Sequence, residues 1–410
     1  MTATREQACP FTYPSPEVVE HPFPFYAWLR HEAPVHRLPD GSFLVSRRED
    51  IVRIVRDPEV FSNRIGPLND QILGGPRVGG DLDGPWATSF ADPPELREQR
   101  ALSSSLVSRE RLREIEPIVG RNADELIDTF AARGRAEFRS EFASLLPRRV
   151  MMDVFGFPRE DEADFIRWAS GQGPVGSKLA SPEEQAREQQ NRLDLAAYFK
   201  QKVLERVESP RDDYVSVFVH EQIARDGELD LPYVLAELVN LFAAGNGTTA
   251  HMLASAMLLL LQHPEELERV RTDRELIRPM LEEVIRLEDP IQWNQRVVKE
   301  DVELHGVAIP AGSIVIIVWA AANRDEKAFP DPDRFDIDRP GLVKRHLGFG
   351  QGIHLCLGAP VARLEGQVAM NRILDRLQNL RLDPGAGEIT HIPNLNQRSP
   401  TAVPIVFDAA

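Results

Sequence analysis

From Val234 to Leu261 the chain is dominated by apolar side chains, with leucine, alanine and methionine prominent among them. These are strong helix formers, and a helix that is apolar on most of its surface has to be buried. The rest of the chain must therefore wrap around this segment. Glu237, Asn240, Asn246 and His251 interrupt the run. No stretch reaches the ~18 uninterrupted apolar residues of a transmembrane helix. The run is also flawed at its centre, where "AAGNGTT" places Gly245 and Gly247 on either side of Asn246. Each glycine inside a helix costs about 1 kcal/mol relative to alanine, so this one needs a reason.

The flanking sequence fits a mainly helical protein. "PFYAWLRHEAPVHRL" reads as a helix running into a strand, and "GSFLVSRREDIVRIVRDP" as a strand followed by a helix. Residues 65–94 are rich in Gly and Pro without a period, which predicts a long functional loop. Helical patterning then runs from Glu95 to about Gln262, with a capping box at Ser181 and Glu184. After Pro290, β-branched runs split by Gly306 and Pro310 predict strands, a further helix begins near Pro360, and "TAVPIVF" closes on a strand. No linker or repeat divides the chain. A single domain over residues 1–410 is expected, mainly α with a minor β-rich lobe.

The net charge of −16 argues against a nucleic-acid binder, which needs clustered Lys and Arg. Two cysteines, Cys9 and Cys356, do not make a disulfide framework. The first residues have no apolar core of signal-peptide length. A soluble, cytoplasmic protein without a membrane anchor is expected.

"HLGFGQGIHLCLGAPVARLE", residues 346–365, carries the chemistry. Gly350, Gly352 and Gly358 surround Cys356 with backbone that a flat partner can approach closely. Pro360 marks the first turn of a helix. Its free N–H groups would lower the thiol pKa. A thiolate serves as nucleophile, redox partner or metal ligand. No second cysteine is near for a redox pair or zinc cluster, and His354 is within reach as a base. For a lone cysteine the plainer interpretation is a buried structural thiol, and its surroundings overturn it.

The pattern F-x-x-G-x-x-x-C-x-G, met by Phe349, Gly352, Cys356 and Gly358, resembles the haem-binding loop of the cytochrome P450 family. "LEEVIRLEDP" is similar to its E-x-x-R helix, with Glu283 and Arg286. "AFPDPDRFDIDRP" resembles the segment whose arginine, here Arg334, completes a Glu–Arg–Arg scaffold cluster. The resemblance spans nearly the whole chain, least specifically between residues 155 and 225, and it is to soluble, bacterial-type members. It implies haem b as cofactor, with Cys356 as axial iron ligand in a loop over residues 346–358. It also implies Arg100, Arg296 and His354 as propionate partners, which suits desolvated carboxylates. Phe349, Gly350 and Ala244 are expected against the haem. The family often has a histidine four residues before the first arginine; Leu96 stands there, so one propionate contact is expected to be missing or replaced.

The same resemblance gives the flawed helix, about residues 233–262, a purpose. Ala244, Gly245, Asn246 and Thr248 match the family's A/G-G-x-D/E-T pattern, which implies a locally opened groove for dioxygen beside the Thr248 hydroxyl. Gly247 occupies the acidic position. Proton delivery then falls to water organised by Thr248 and Asn246, to a substrate hydroxyl, or to Glu237 or His251. His251 is one turn from Thr248, whereas Glu237 is about 16 Å away along the axis.

Further implications concern partners. The expected substrate pocket draws on Ile72, Trp86, Phe242, Ala244, Ile291, Trp293 and Leu395, with Asn294, Asn394 and Asn396 as polar contacts. A hydrophobic small molecule suits it: terpenoid, steroid, aromatic or polyketide. No flavin or iron–sulfur segment is fused, so electrons are expected from a ferredoxin-type donor with its reductase. Such a donor would dock near Lys344, Arg345 and Arg363. The leading function is a monooxygenase. A haem- or ligand-binding protein without turnover and a peroxide-driven haem enzyme are the alternatives.

Overall fold

The computed structural model describes residues 9–65, 87–170 and 181–409. It begins with helices α1 (Pro16–Glu20) and α2 (Pro22–Glu32), strands β1 (Val35–Arg37) and β2 (Phe43–Val45), helix α3 (Arg48–Arg56) and strand β3 (Phe61–Ser62). A helical tract follows: α4 (Glu95–Ser103), α5 (Arg109–Asp128), α6 (Leu146–Phe155), α7 (Glu162–Ser170), α8 (Pro182–Glu208), α9 (Tyr214–Asp226), α10 (Leu231–Gln262), α11 (Pro264–Thr272) and α12 (Ile277–Leu287). Strand β4 (Arg135–Glu137) and a π turn at Arg139–Ala143 interrupt it. Strands β5 (Asn294–Val298), β6 (Val302–Leu304), β7 (Val307–Ile309) and β8 (Ile314–Ile317) come next. After them lie the short helices α13 (Trp319–Ala322) and α14 (Leu342–Arg345), then α15 (Ala359–Arg376), β9 (Leu377–Leu382) and β10 (Pro404–Ala409).

The apolar run becomes α10, whose boundaries its own residues set. Asp230 caps the start by accepting the Tyr233 N–H at 3.1 Å, and Pro232 sits in the first turn, where no N–H is needed. Pro264 follows the cap residue His263 and stops the helix. At about 1.5 Å per residue the 32 residues span about 48 Å. Phe242, Met252, Leu253, Met257 and Leu260 bury into one large core shared with α5, α6, α9, α12 and α15. That burial offsets the glycines.

Five strands form the larger sheet in the order β1-β2-β8-β5-β3, with β2 and β8 parallel and the other pairs antiparallel. Its register sets Arg296 opposite Val315, so the sheet fixes where that arginine leaves the strand. Strands β4, β10 and β9 form a second sheet, and β6 with β7 a hairpin. His305 and Gly306 turn that hairpin with φ of 52° and 78°, the left-handed pair a two-residue turn requires. Among the described residues no helix is long and apolar enough to cross a membrane.

Candidate functional site

The cysteine loop hangs between the end of α14 and the start of α15. The Leu347 N–H donates to Asn323 Oδ1 at 2.6 Å, and the Cys356 N–H donates to the Phe349 carbonyl at 2.8 Å, which folds the loop back on itself. Gly352 has φ +76°, and a Cβ there would lie 2.5 Å from the Val55 carbonyl oxygen of α3. Only glycine allows the loop to press this closely on the neighbouring backbone. Cys356 is accessible to solvent. Protein surrounds it otherwise, and that burial pushes its thiol up. The N–H groups of Gly358 and Ala359 at the start of α15, with Arg100 and Arg363, pull the other way but do not prevail. The helix terminus therefore acts in the expected direction without yielding a thiolate by itself. A coordinated metal ion would supply the remaining positive charge, since it deprotonates a ligating thiol outright.

Buried polar groups that lack a full set of partners gather near this thiol. Arg296 is buried, and its Nη1 bonds the carbonyl of its neighbour Gln295 at 2.6 Å. Burial lowers its pKa to about 10, with only Asp92 opposing. His354 has a buried Nε2 without a partner. Its pKa falls to about 3, first through burial and then through Arg296 and Arg100. Two guanidinium groups and an orphaned imidazole nitrogen thus act on one another, with the carboxylates of Asp92 and Glu237 answering them in part. Such a set calls for an anionic ligand. With an accessible cysteine nearby, it fits a haem, whose carboxylates would meet these donors and whose iron would meet the sulfur. Leu96 is buried in α4 and offers no fourth donor.

The oxygen-helix candidates separate into two groups. Ala244 is accessible, and the Thr248 hydroxyl donates to the Ala244 carbonyl at 2.7 Å. Helix α10 runs through this turn, and the Thr248 hydroxyl bonds back one turn, a contact that often bends a helix locally. Asn246 is buried, and Gly247 lies between it and Thr248. Gly245 has a different role from the expected one. A Cβ there would meet Met151 Sδ of α6 at 3.1 Å, so it is a packing notch between two helices. Of the two other proton donors considered, Glu237 is engaged and His251 is neutral. Glu237 accepts from the Thr88 N–H and the Ser103 hydroxyl, both at 2.7 Å. Burial lowers the His251 pKa to about 4, so its imidazole is neutral at pH 7. Asn240, noted only as a break in the apolar run, shares the i, i+4, i+8 stripe with Ala244 and Thr248 and donates to Ser89 Oγ at 3.1 Å.

The scaffold cluster has a different third member from the one expected. Glu283 and Arg286 form a fully buried pair through two 2.7 Å bonds. Arg339 completes it, with Nε 2.9 Å from Glu283 Oε1. Arg334, expected in that place, is exposed and pairs with Asp336, contributing only its carbonyl to Arg286 and Arg339. The segment carries two arginines five residues apart, and the turn between them decides which points inward.

Several pocket candidates also prove to be core. Phe242 is 4% exposed amid the rings of Phe155, Phe157, Phe165 and Phe199, leaving little surface for a substrate. Trp293 is buried and donates to the Leu395 carbonyl at 2.8 Å. Asn294, Asn394 and Asn396 are engaged by Trp319, by turn N–H groups and by the Trp293 carbonyl. Ile291 and Leu395 are partly exposed. Ile72 and Trp86 lie outside the described residues.

A cysteine at a helix start, near buried donors that lack a full set of acceptors, fits a haem-thiolate class of site. The comparisons agree with it. The Cytochrome P450 family model matches residues 181–395. The chain is 32% identical to the cytochrome P450 monooxygenase PikC of Streptomyces venezuelae, covering 94% of this chain and 90% of that one. It is 34% identical to the mycinamicin IV hydroxylase/epoxidase of Micromonospora griseorubida, covering 93% and 94%. A solved cytochrome P450 from Chondromyces apiculatus superposes with a TM-score of 0.85 at 34% identity, covering 97% of each chain. One from Bacillus megaterium, solved with testosterone, gives 0.85 at 27% identity, covering 96% of this chain and all of that one. The chain belongs to the cytochrome P450 family and is a monooxygenase with a haem-thiolate cofactor.

Proposed function

We propose that this monooxygenase uses haem b and oxidises a hydrophobic small molecule of steroid or polyketide size. Its electrons come from a ferredoxin-type donor with its reductase, and residues 1–410 act as one domain. The observation that carries the site assignment is the convergence of Arg100, Arg296 and the orphaned His354 Nε2 beside Cys356. Haem bound here would supply oxygen activation, which a thiolate ligand favours. Arg100, Arg296 and His354 hold its carboxylates, and Cys356 holds its iron. The relatives' mycinamicin and the neighbour's testosterone support the substrate class. Substrate-induced spin-state shifts, followed by product assays with dioxygen and with peroxide, test this reading. Turnover with peroxide alone would remove the electron donor from it.

The accessible stripe of Asn240, Ala244 and Thr248 borders the substrate. Thr248 and Asn246 order the water that carries protons inward, because Gly247 supplies no acid. Gly247→Asp raises product formed per reductant consumed, and an unchanged ratio shows that proton supply is not limiting. Donor docking centres on Lys344, which is exposed beside the exposed Val343. Arg345 lies over the Phe329 ring, and Arg363 is committed to Glu282. Lys344→Glu slows reduction by an acidic ferredoxin at low salt, and an unaltered rate places the donor elsewhere.

A further inference from the structure

Glu282, beside the scaffold residue Glu283 on α12, makes a second buried charge cluster. Its side chain is fully buried. Oε2 receives His346 Nε2 at 2.7 Å, while Arg363 makes a fork to both oxygens, at 2.6 and 3.0 Å. His346 Nδ1 accepts the Gly348 N–H at 3.2 Å, so Nε2 is the nitrogen that carries the proton toward Glu282. Burial alone would raise the Glu282 pKa, but the His346 and Arg363 bonds overcome it and hold it at about 2. The carboxylate is therefore a permanent charge at any working pH.

The two partners bracket the cysteine loop. His346 stands at its start, ten residues before Cys356 in the chain, and Arg363 follows it by seven, on α15. One carboxylate thus ties both ends of the loop to α12. The fork also holds the Arg363 guanidinium 4.5 Å from the centre of the Phe349 ring. Phe349 in turn accepts the Cys356 N–H through its carbonyl. No motif marks this cluster, since Glu282 stands outside the E-x-x-R pattern.

We propose that Glu282 is a positioning residue for the haem-thiolate centre: it clasps the two ends of the cysteine loop and fixes Arg363 as a neutralised charge behind Phe349. The inference rests on the reading of Cys356 as the iron ligand. Reduction of the ferric centre adds one negative charge, so nearby fixed charges shift its midpoint potential. Removing the Glu282 charge leaves Arg363 uncompensated and favours the reduced state. Removing the Arg363 charge leaves Glu282 uncompensated and opposes it.

The test is a cycle of haem-loaded variants measured by spectroelectrochemistry. Glu282→Gln shifts the potential upward, Arg363→Gln shifts it downward, and the double variant returns close to the parent. Shifts of one sign in both single variants, or none in either, overturn the proposal, because simple loosening of the loop carries no charge signature. Should Glu282→Gln fail to retain haem, Arg363→Gln alone decides: an unchanged or raised potential overturns it. The parent's ferrous–CO spectrum separates this from the underlying assignment. Absence of the thiolate band there removes the Cys356 reading, whereas a normal band with unmoved potentials removes only the role of Glu282.

Discussion

Two arginines five residues apart show how far a single residue can be read. The sequence identified the segment that closes on Glu283, and Arg334 was the natural choice. Side-chain direction in "DPDRFDIDRP" depends on turns that the string does not encode, and Arg339 is the one that arrives. Its guanidinium also bonds the carbonyls of Pro330, Asp331 and Arg334. Arg339→Ala should cost about 3–5 kcal/mol, as expected when a buried carboxylate loses a partner. Arg334→Ala should leave stability within the range of ordinary surface substitutions. Urea denaturation compares them, and equal effects would restore Arg334 to the cluster.

Another residue-scale consequence concerns Glu365 on α15. It is 1% exposed, its Oε2 has no partner, and burial raises its pKa from 4.5 to about 8. The folded chain then binds more protons than the unfolded one between these values. Stability is fully present below pH 4.5 and is lost as pH rises toward 8. Glu365→Gln should flatten that fall by a few kcal/mol. Parallel losses in the variant and the parent would show that Glu365 does not cause it.

At the scale of elements the sequence was more informative. The helix over 231–262, the strand–hairpin tract after Pro290 and the helix from Ala359 all follow from period, caps and turn residues. What the pattern could not resolve is which way each glycine faces. Gly245 and Gly352 both look like sites of close approach. One meets the flexible end of Met151, the other the rigid backbone of Val55. Gly245→Ala should recover up to about 1 kcal/mol of helix propensity against a small shift of Met151, with activity retained. Gly352→Ala should lose about 1–2 kcal/mol from its left-handed backbone alone, plus the Val55 clash, and haem retention with it. Thermal melts and haem content check both, and loss of activity on Gly245→Ala would return that glycine to the oxygen site.

Over the whole molecule, the long helix, the cysteine loop and the larger sheet each deliver one part of the site. On the proposed reading, helix α10 contributes Thr248 and Ala244, the loop Cys356 and His354, and β5 Arg296. Motif spacing made these residues legible because each is held by short-range backbone geometry. The substrate-facing surface was less so. Phe242 and Trp293 have the right character for a pocket, but the hydrophobic clusters that absorb them are assembled from segments far apart in the chain. The central claim is that Cys356 ligates the iron of a haem held by Arg100, Arg296 and His354. It is tested most directly by the spectrum of the reduced, CO-bound protein reconstituted with haem. A strongly red-shifted Soret band, the mark of a thiolate opposite CO, is the result expected. Bound haem with an unshifted band, unchanged in Cys356→Ser, would contradict it.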